Sequence, residues 1–274
     1  MAICRCNLVT TYLQTNANCG KIKCKYTWLL EEVMKYSIDT HTHSIVSGHA
    51  YNTIDEMTKE AADKGVSHFA LTEHAPKMPG SCNELYFYNL RVLKHEKYCV
   101  NRLFGVELNI MDFNGRVDLP ERIIQHLDIV IASFHPPCIV AGSRQQNTNA
   151  LIEVIKNPYI NIIGHPDDSR YPVDFEPIVL AAKQYHTLLE LNNTSLKPTG
   201  PRVDARVNDI KMLELCKKHN VCISLASDAH VAESICDFEL IEELLEELDF
   251  PERLIVNSDY ELLQSYLNYK GKII

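Results

Sequence analysis

Nine imidazole and carboxylate side chains could together bind metal ions. Two of them are separated by a single residue in His41-Thr42-His43, a spacing that places both side chains on one side of a strand. The other candidates are His49, His74, Glu107, His135, His165, Asp228 and His230. Imidazole and carboxylate without thiolate suit zinc, iron or manganese, and nine ligands are too many for one ion. The sequence therefore predicts a cluster of divalent ions, and three ions are reasonable if a carboxylate bridges two of them.

Seven short apolar runs must position these side chains. They cover residues 36–40, 67–71, 103–108, 128–133, 160–164, 188–191 and 221–226. Continuous hydrophobicity over four to six residues is typical of strands that are buried on both faces. Amphipathic segments lie between the runs, for example around residues 54–62, 207–216 and 238–248. This alternation predicts a parallel α/β architecture, and a barrel is the favoured closure.

The candidate ligands follow the strands in a consistent way. Six of the seven predicted strands carry an imidazole or a carboxylate at or near the carboxyl end. In parallel α/β folds these ends converge on one mouth, where ligands and catalytic groups gather. Five other histidines lie in or beside helices or near the start of a strand, and we expect them to be structural. They are His68, His95, His126, His186 and His219.

The composition excludes several classes of protein. A hydrophobic fraction of 46% and a charged fraction of 23% are typical of a globular protein, and no run approaches the roughly 18 apolar residues of a membrane span. A net charge of −9 makes nucleic acid an unlikely partner. No continuous apolar segment marks a secretory signal, so we expect a cytoplasmic protein. The oligomeric state stays open, and a homo-oligomer is compatible with the sequence.

Residues 1–33 differ from the rest of the chain. They lack helical or strand periodicity, and we expect a poorly ordered extension before a single catalytic domain of residues 34–274. Four cysteines in the extension resemble a zinc ribbon only loosely in their spacing. They are Cys4, Cys6, Cys19 and Cys24.

The motifs around these ligands resemble those of the PHP (polymerase and histidinol phosphatase) family, and within it the YcdX-like single-domain bacterial phosphatases. The resemblance spans about residues 36–268. It rests on the segments 39–43, 47–51, 134–135, 164–166, 190–193 and 227–230. It implies a distorted (β/α)7 barrel with three divalent ions at the C-terminal mouth. Zn²⁺ is the usual metal, with Mn²⁺ or Fe²⁺ as alternatives.

The resemblance also implies how the ligands divide among the ions. His41, His43, Glu107 and Asp228 would bind the first ion, Glu107 would bridge to a second with His135 and His165, and the third would take His49, His74 and His230. Glu107 and Asp228 are the catalytic candidates, and Asp228 is a possible proton acceptor. One residue departs from the family pattern, because Glu73 stands where Asp is frequent.

A phosphatase of small phosphomonoesters is the function that these residues favour. A metal ion lowers the pKa of bound water to around 7, so metal-bound hydroxide would be the nucleophile. We expect Asn193, Arg144 and Arg202, which follow predicted strands, to bind a small phosphorylated substrate.

Several other functions stay open. Within the family, histidinol-phosphate phosphatase is an alternative, and the acidic charge disfavours a nucleotide phosphodiesterase or exonuclease. A C–N hydrolase of the amidohydrolase type also begins with His-x-His but typically uses a carboxylated lysine where Glu107 stands. A non-catalytic metal-binding module is the last alternative.

Overall fold

Seven parallel strands form the centre of the computed structural model, which describes residues 34–267. With one short antiparallel strand, the described sheet has eight strands: β1 (Ile38–Thr42), β2 (His68–Leu71), β3 (Glu96–Lys97), β4 (Val100–Asn109), β5 (Ile129–Ser133), β6 (Ile162–Ile163), β7 (Leu188–Asn192) and β8 (Ile223–Ala226). All except β3 pair in parallel in this order, and β3 lies antiparallel to β4. The predicted extension of residues 1–33 and its cysteines lie outside the described residues.

The first and last strands meet and nearly close the sheet. Thr42 forms a parallel bridge with Ala229, and the His43 amide donates to the Ala229 carbonyl at 2.8 Å. The buried Asn257 amide adds a second link, because it donates to the carbonyls of Ile38 and Leu225, each at 2.7 Å. The predicted parallel barrel is confirmed as a nearly closed (β/α)7 arrangement, and closure brings the two ends of the site together.

Helices surround the strands and bury their outer faces. They are α1 (Ile54–Asp63), α2 (Glu84–Asn89), α3 (Glu121–Ile124), α4 (Arg144–Ile155), α5 (Phe175–Tyr185), α6 (Asn193–Leu196), α7 (Ala205–His219), α8 (Glu239–Glu247) and α9 (Tyr260–Leu267). At the start of α1, Thr53 and Glu56 form a capping box, while Met57 and Ala61 face the core. No helix within residues 34–267 is long and apolar enough to cross a membrane.

Burial follows the hydrophobic runs of the sequence. Every residue of β1, β5, β7 and β8 is buried, as expected of strands covered on both faces. The run at 160–164 contributes only two strand residues, because Gly164 and His165 turn away, the latter with a φ of 28°. Cys216 and Cys222 are buried among apolar side chains, whereas Cys99 lies in an exposed turn.

A carboxyl group on α7 is buried beneath the barrel mouth. Asp209 is fully buried, and neither of its side-chain oxygens has a hydrogen-bond partner among the described residues. Burial raises the pKa of Asp209 well above its usual range, and the nearby charge of Asp167 raises it further, while Arg202 opposes the shift. The folded protein therefore holds a proton on Asp209 at pH values where the unfolded chain has released it.

Replacing Asp209 by Asn should change how stability depends on pH. Above about pH 4 Asp209 binds more protons in the folded wild type than in the unfolded chain, so its contribution to stability falls as the pH rises. Asn does not titrate, so the free energy of unfolding of Asp209→Asn relative to wild type should rise by up to about 1.4 kcal/mol per pH unit. Urea unfolding at pH 5, 6 and 7 measures this, with the exposed Asp63→Asn as control. A difference that does not change with pH would contradict the assignment.

Candidate metal centre

All nine candidate ligands lie at one end of the barrel. His41 is in β1 and Glu107 in β4, and the others follow the carboxyl ends of their strands. Seven of the nine are buried, while His49 is exposed and His230 is partly exposed. The arrangement is the one that the strand ends predict, because parallel strands deliver their last residues to a common mouth.

The carboxylate of Glu107 lies at the centre of the imidazoles. Its Oε1 is 2.8 Å from His165 Nε2 and 3.0 Å from His135 Nε2, and its Oε2 is 2.6 Å from His74 Nδ1. Burial alone would raise the pKa of Glu107, but His135 and His74 hold it well below its usual range. Glu107 is therefore an anion with imidazoles on both of its oxygens.

A second group of candidate metal ligands lies on the other side of Glu107. The Nε2 atoms of His41 and His43 are 3.0 Å apart, and they lie 3.4 and 3.5 Å from Glu107 Oε2. Asp228 Oδ1 is 3.3 Å from His43 Nε2, and Arg202 donates to Asp228 Oδ2 at 3.0 Å. Although burial opposes it, His41, His43 and Arg202 hold the pKa of Asp228 well below its usual range. Two buried carboxylates thus face the same imidazoles as anions.

The remaining imidazoles line the outer rim. His49 Nε2 is 3.2 Å from His74 Nε2, and the centroids of the His49 and His230 rings are 4.9 Å apart. Gly48 allows this approach, since its φ is 82° and a Cβ there would lie 2.2 Å from the Gly80 carbonyl oxygen. The loops after β1 and β2 therefore contact each other and bring His49 beside His74.

Hydrogen bonds outside the cluster determine the tautomers of its histidines. His41 Nδ1 is 2.8 Å from Glu190 Oε2, and an ionised carboxylate can only accept. His135 Nδ1 is 2.7 Å from the Asn109 side-chain oxygen, which also only accepts. We assign the ring proton of both histidines to Nδ1, so that each Nε2 lone pair faces the cluster.

Two further histidines have the same tautomer. His230 Nδ1 is 2.9 Å from the backbone carbonyl of Asp228. His43 Nδ1 is 3.0 Å from the Ser47 hydroxyl, and that hydroxyl donates its only proton to Glu73 at 2.6 Å. His43 Nδ1 must therefore be the donor to Ser47. Burial and the neighbouring imidazoles lower the pKa of His43 well below its usual range, so its Nε2 carries a lone pair.

These anions attract positive charge: although burial opposes the shift, Glu190, Glu107 and Asp228 raise the pKa of His41 well above its usual range, and a bound cation would replace the extra proton. The Nε2 atoms of His41 and His43 face each other at 3.0 Å, and Glu107 Oε2 is buried without a hydrogen-bond partner. Such groups repel one another in a dry interior unless a positive charge lies among them. Three groups of side chains have their metal-binding atoms within 4.8 Å of one another. They are His41 with His43 and Asp228, His74 with Glu107 and His135, and His43 with His74 and His230. The residues fit divalent metal ions.

The structure places the expected ligand sets close together. The ligand atoms of His41, His43 and Asp228 lie within 4.8 Å of one another, and His135 and His165 both contact Glu107 Oε1. His74 contacts both Glu107 and His49 and so lies between two of the expected sets.

Arg202 is the one predicted substrate residue that reaches the ligands. It donates to the Asn192 side-chain oxygen at 3.2 Å, to the Ser195 hydroxyl at 3.0 Å and to Asp228. Only 9% of its side chain is exposed. Its hydrogen bonds are therefore directed at the protein, and they orient Asp228.

The structure does not bring Arg144 or Asn193 to the cluster. Arg144 is 57% exposed at the start of α4, where it donates to the Val173 carbonyl and lies 3.7 Å from Asp174. The Asn193 side-chain oxygen accepts from the Ile241 amide at 3.3 Å, on the side that packs against α8. Strand β7 ends at Asn192, one residue beyond the predicted run, and alternation turns position 193 to the face opposite Asn192.

Two residues of β7, Glu190 and Asn192, complete the site. Asn192 donates to Glu190 Oε1 at 2.8 Å and lies 3.3 Å from Asp228 Oδ2. Glu190 also accepts from the His165 amide at 3.1 Å. Their spacing of two in a buried strand was the available signal, because it places both side chains on the same face of the sheet.

Comparisons with known proteins find relatives over most of the chain. A PHP domain model matches residues 39–260. The chain is 45% identical over 240 residues to a probable phosphatase of Clostridium novyi (strain NT), which covers 88% of this chain and 98% of the relative. It is also 45% identical over 241 residues to a probable phosphatase of Caldicellulosiruptor bescii, covering 88% of this chain and 99% of the relative.

A solved structure shares the fold at lower identity. The histidinol phosphate phosphatase from Lactococcus lactis subsp. lactis Il1403, complexed with zinc, L-histidinol and phosphate, aligns with a TM-score of 0.56 at 19% identity. The alignment covers 79% of this chain and 95% of that chain. This likeness shows the barrel fold alone.

Changing Glu107 to Gln tests its central position. Gln removes the negative charge and replaces one oxygen that faces the imidazoles with an NH2 donor, so metal binding and turnover should fall more than about 100-fold. Circular dichroism should show a preserved fold. The controls His95→Ala and His219→Ala change imidazoles away from the mouth, which contact Arg102 and Glu176, and should have little effect. Near-normal turnover of Glu107→Gln would show that the assignment of Glu107 is wrong.

Proposed function

The chain belongs to the PHP domain family, and on this premise we propose that it is a metal-dependent phosphatase that hydrolyses small-molecule phosphomonoesters. The observation that carries the proposal is the convergence of seven histidines with Glu107 and Asp228 in one barrel mouth. The relatives named probable phosphatase share this chain over nearly their whole length, which supports the same class of reaction.

We propose three divalent ions, with Zn²⁺ first and Mn²⁺ or Fe²⁺ as alternatives. The first would take His41, His43, Glu107 and Asp228, the second Glu107, His135 and His165, and the third His49, His74 and His230. When bound, such ions supply hydroxide from water near neutral pH and offset the charge of a phosphoryl group. The tautomers assigned above support this division, because the Nε2 atoms of His41, His43, His135 and His230 are free to bind.

Asp228 acts as a ligand in this proposal and not as the general base. Arg202 and the neighbouring imidazoles hold its pKa well below its usual range, and a weak base is a poor proton acceptor at neutral pH. Arg202 orients Asp228 through the hydrogen bond to Oδ2. We accordingly assign Arg202 to positioning the ligand rather than to direct contact with phosphate, and we leave Arg144 and Asn193 out of the substrate site.

A small phosphorylated molecule is the substrate class that we propose. Histidinol phosphate is one member of that class, and the Lactococcus protein was solved in complex with L-histidinol and phosphate. The amidohydrolase alternative loses its support, because Glu107 stands where a carboxylated lysine would bridge and no lysine within residues 34–267 forms an ion pair with the proposed carboxylate ligands. A cytoplasmic location and a catalytic unit of residues 34–274 stay predictions.

Hydrolysis of p-nitrophenyl phosphate tests the reaction class. Protein purified without chelator should release p-nitrophenol, with a rate that rises between about pH 6 and pH 8 as water on a divalent ion ionises. Chelation should abolish the activity, and added Zn²⁺ or Mn²⁺ should restore it. A parallel panel of phosphorylated metabolites, histidinol phosphate included, ranks substrates by kcat/KM. Hydrolysis of amides or dihydropyrimidines without phosphatase activity would contradict the proposal.

A further inference from the structure

The carboxylate of Glu73 accepts hydrogen bonds from the turn that follows β1. Glu73 is fully buried, and its oxygens accept from the Ser44 amide at 3.1 Å, from the Ser44 hydroxyl and from the Ser47 hydroxyl at 2.6 Å. Burial raises the pKa of Glu73, but the hydrogen bonds from Ser44 and Ser47 oppose that shift, because each favours the ionised carboxylate, which can only accept. Glu73 therefore fixes the direction of the Ser47 proton.

The Ser47 hydroxyl in turn contacts two of the proposed ligands. Because its proton points to Glu73, its oxygen lone pairs are left to accept from His43 Nδ1 at 3.0 Å and from the His74 amide at 3.1 Å. One hydroxyl thus fixes the tautomer of His43 and the backbone position of His74. Neither Glu73 nor Ser47 has a hydrogen bond to His135 or His165 among the described residues.

The same contacts hold the segment that carries His49. Ser44 caps the short 3-10 helix Ile45–Ser47, and this helix ends at Gly48, directly before His49. An Asp at position 73 would be shorter by one carbon–carbon bond, roughly 1.5 Å, and could not keep both serines at these distances. The longer Glu side chain therefore matches the position of this turn.

We propose that Glu73 is a positioning residue of the metal centre, which acts through Ser47 to keep the Nε2 atom of His43 free and to hold His49 beside His74. The inference rests on the proposed function, since it concerns the same ions. It assigns Glu73 and Ser47 to the rim of the cluster, where His49, His74 and His230 lie. Metal binding by Glu107, His135 and His165 should not depend on either residue.

Zinc titration of Ser47→Ala and Glu73→Leu, in competition with a chromophoric chelator, tests this assignment. Both variants should weaken the two Zn²⁺ sites that take His43 and His49 by about 10- to 100-fold, as is typical when a hydrogen bond behind a ligand is lost. The site of Glu107, His135 and His165 should keep wild-type affinity. Matched controls are Ser37→Ala, whose hydroxyl bonds Ser67 at the opposite end of β1, and Glu56→Gln, whose carboxylate accepts from Thr53 at the start of α1. Both should match wild type.

The tautomer of His43 gives a second readout that does not depend on activity. In the metal-free protein labelled with ¹⁵N-histidine, two-bond ¹H–¹⁵N correlations should report an Nδ1 proton on His43 in the wild type and a loss of that preference in Ser47→Ala. A Ser47→Ala variant with unchanged zinc affinity and an unchanged His43 tautomer would overturn the inference, and this holds even if Glu73→Leu does not fold. Failure of the wild type itself to bind Zn²⁺ would instead overturn the proposed function.

Discussion

The buried charge of Glu107 is the constraint on which the site depends. A carboxylate removed from water is costly unless positive charge or hydrogen bonds compensate it. Imidazoles approach both oxygens from the ends of β2, β5 and β6 and from β1, and in the proposed site the divalent ions that they hold would supply the compensating charge. These side chains meet only if the carboxyl ends of the strands lie side by side. The register of the strands therefore determines the geometry of the site.

Residues behind the ligands supply the precision that the strands alone cannot. Glu190, Asn109 and Ser47 each accept the Nδ1 proton of a different imidazole, and Arg202 holds Asp228 from the outside. Hydrogen bonds of this kind orient metal ligands and raise their basicity. Two shells of side chains therefore surround Glu107. The imidazoles form the inner shell, and Glu190, Asn109, Ser47 and Arg202, which hydrogen-bond to the proposed ligands from outside, form the outer shell.

Much of this arrangement can be predicted from the sequence, because strand ends are local features. Apolar runs located the parallel strands, and the residues that follow them located all nine candidate ligands. The failures arose where the outcome depends on one residue of register or on contacts across the fold. Asn193 was placed at the mouth although Asn192 is the last residue of β7, and Arg144 follows a strand but turns toward Val173. Ser47 acts only through the approach of Glu73 from another strand, which no local pattern shows.

Anomalous diffraction tests the central claim most directly, because it locates each metal ion relative to Glu107. Crystals of protein purified without chelator would be measured on both sides of the zinc, iron and manganese absorption edges. The account predicts three anomalous peaks in the barrel mouth, with Glu107 bridging two of them and His135 and His165 on one of that pair. An empty mouth, a single peak, or peaks that Glu107 does not contact would contradict it.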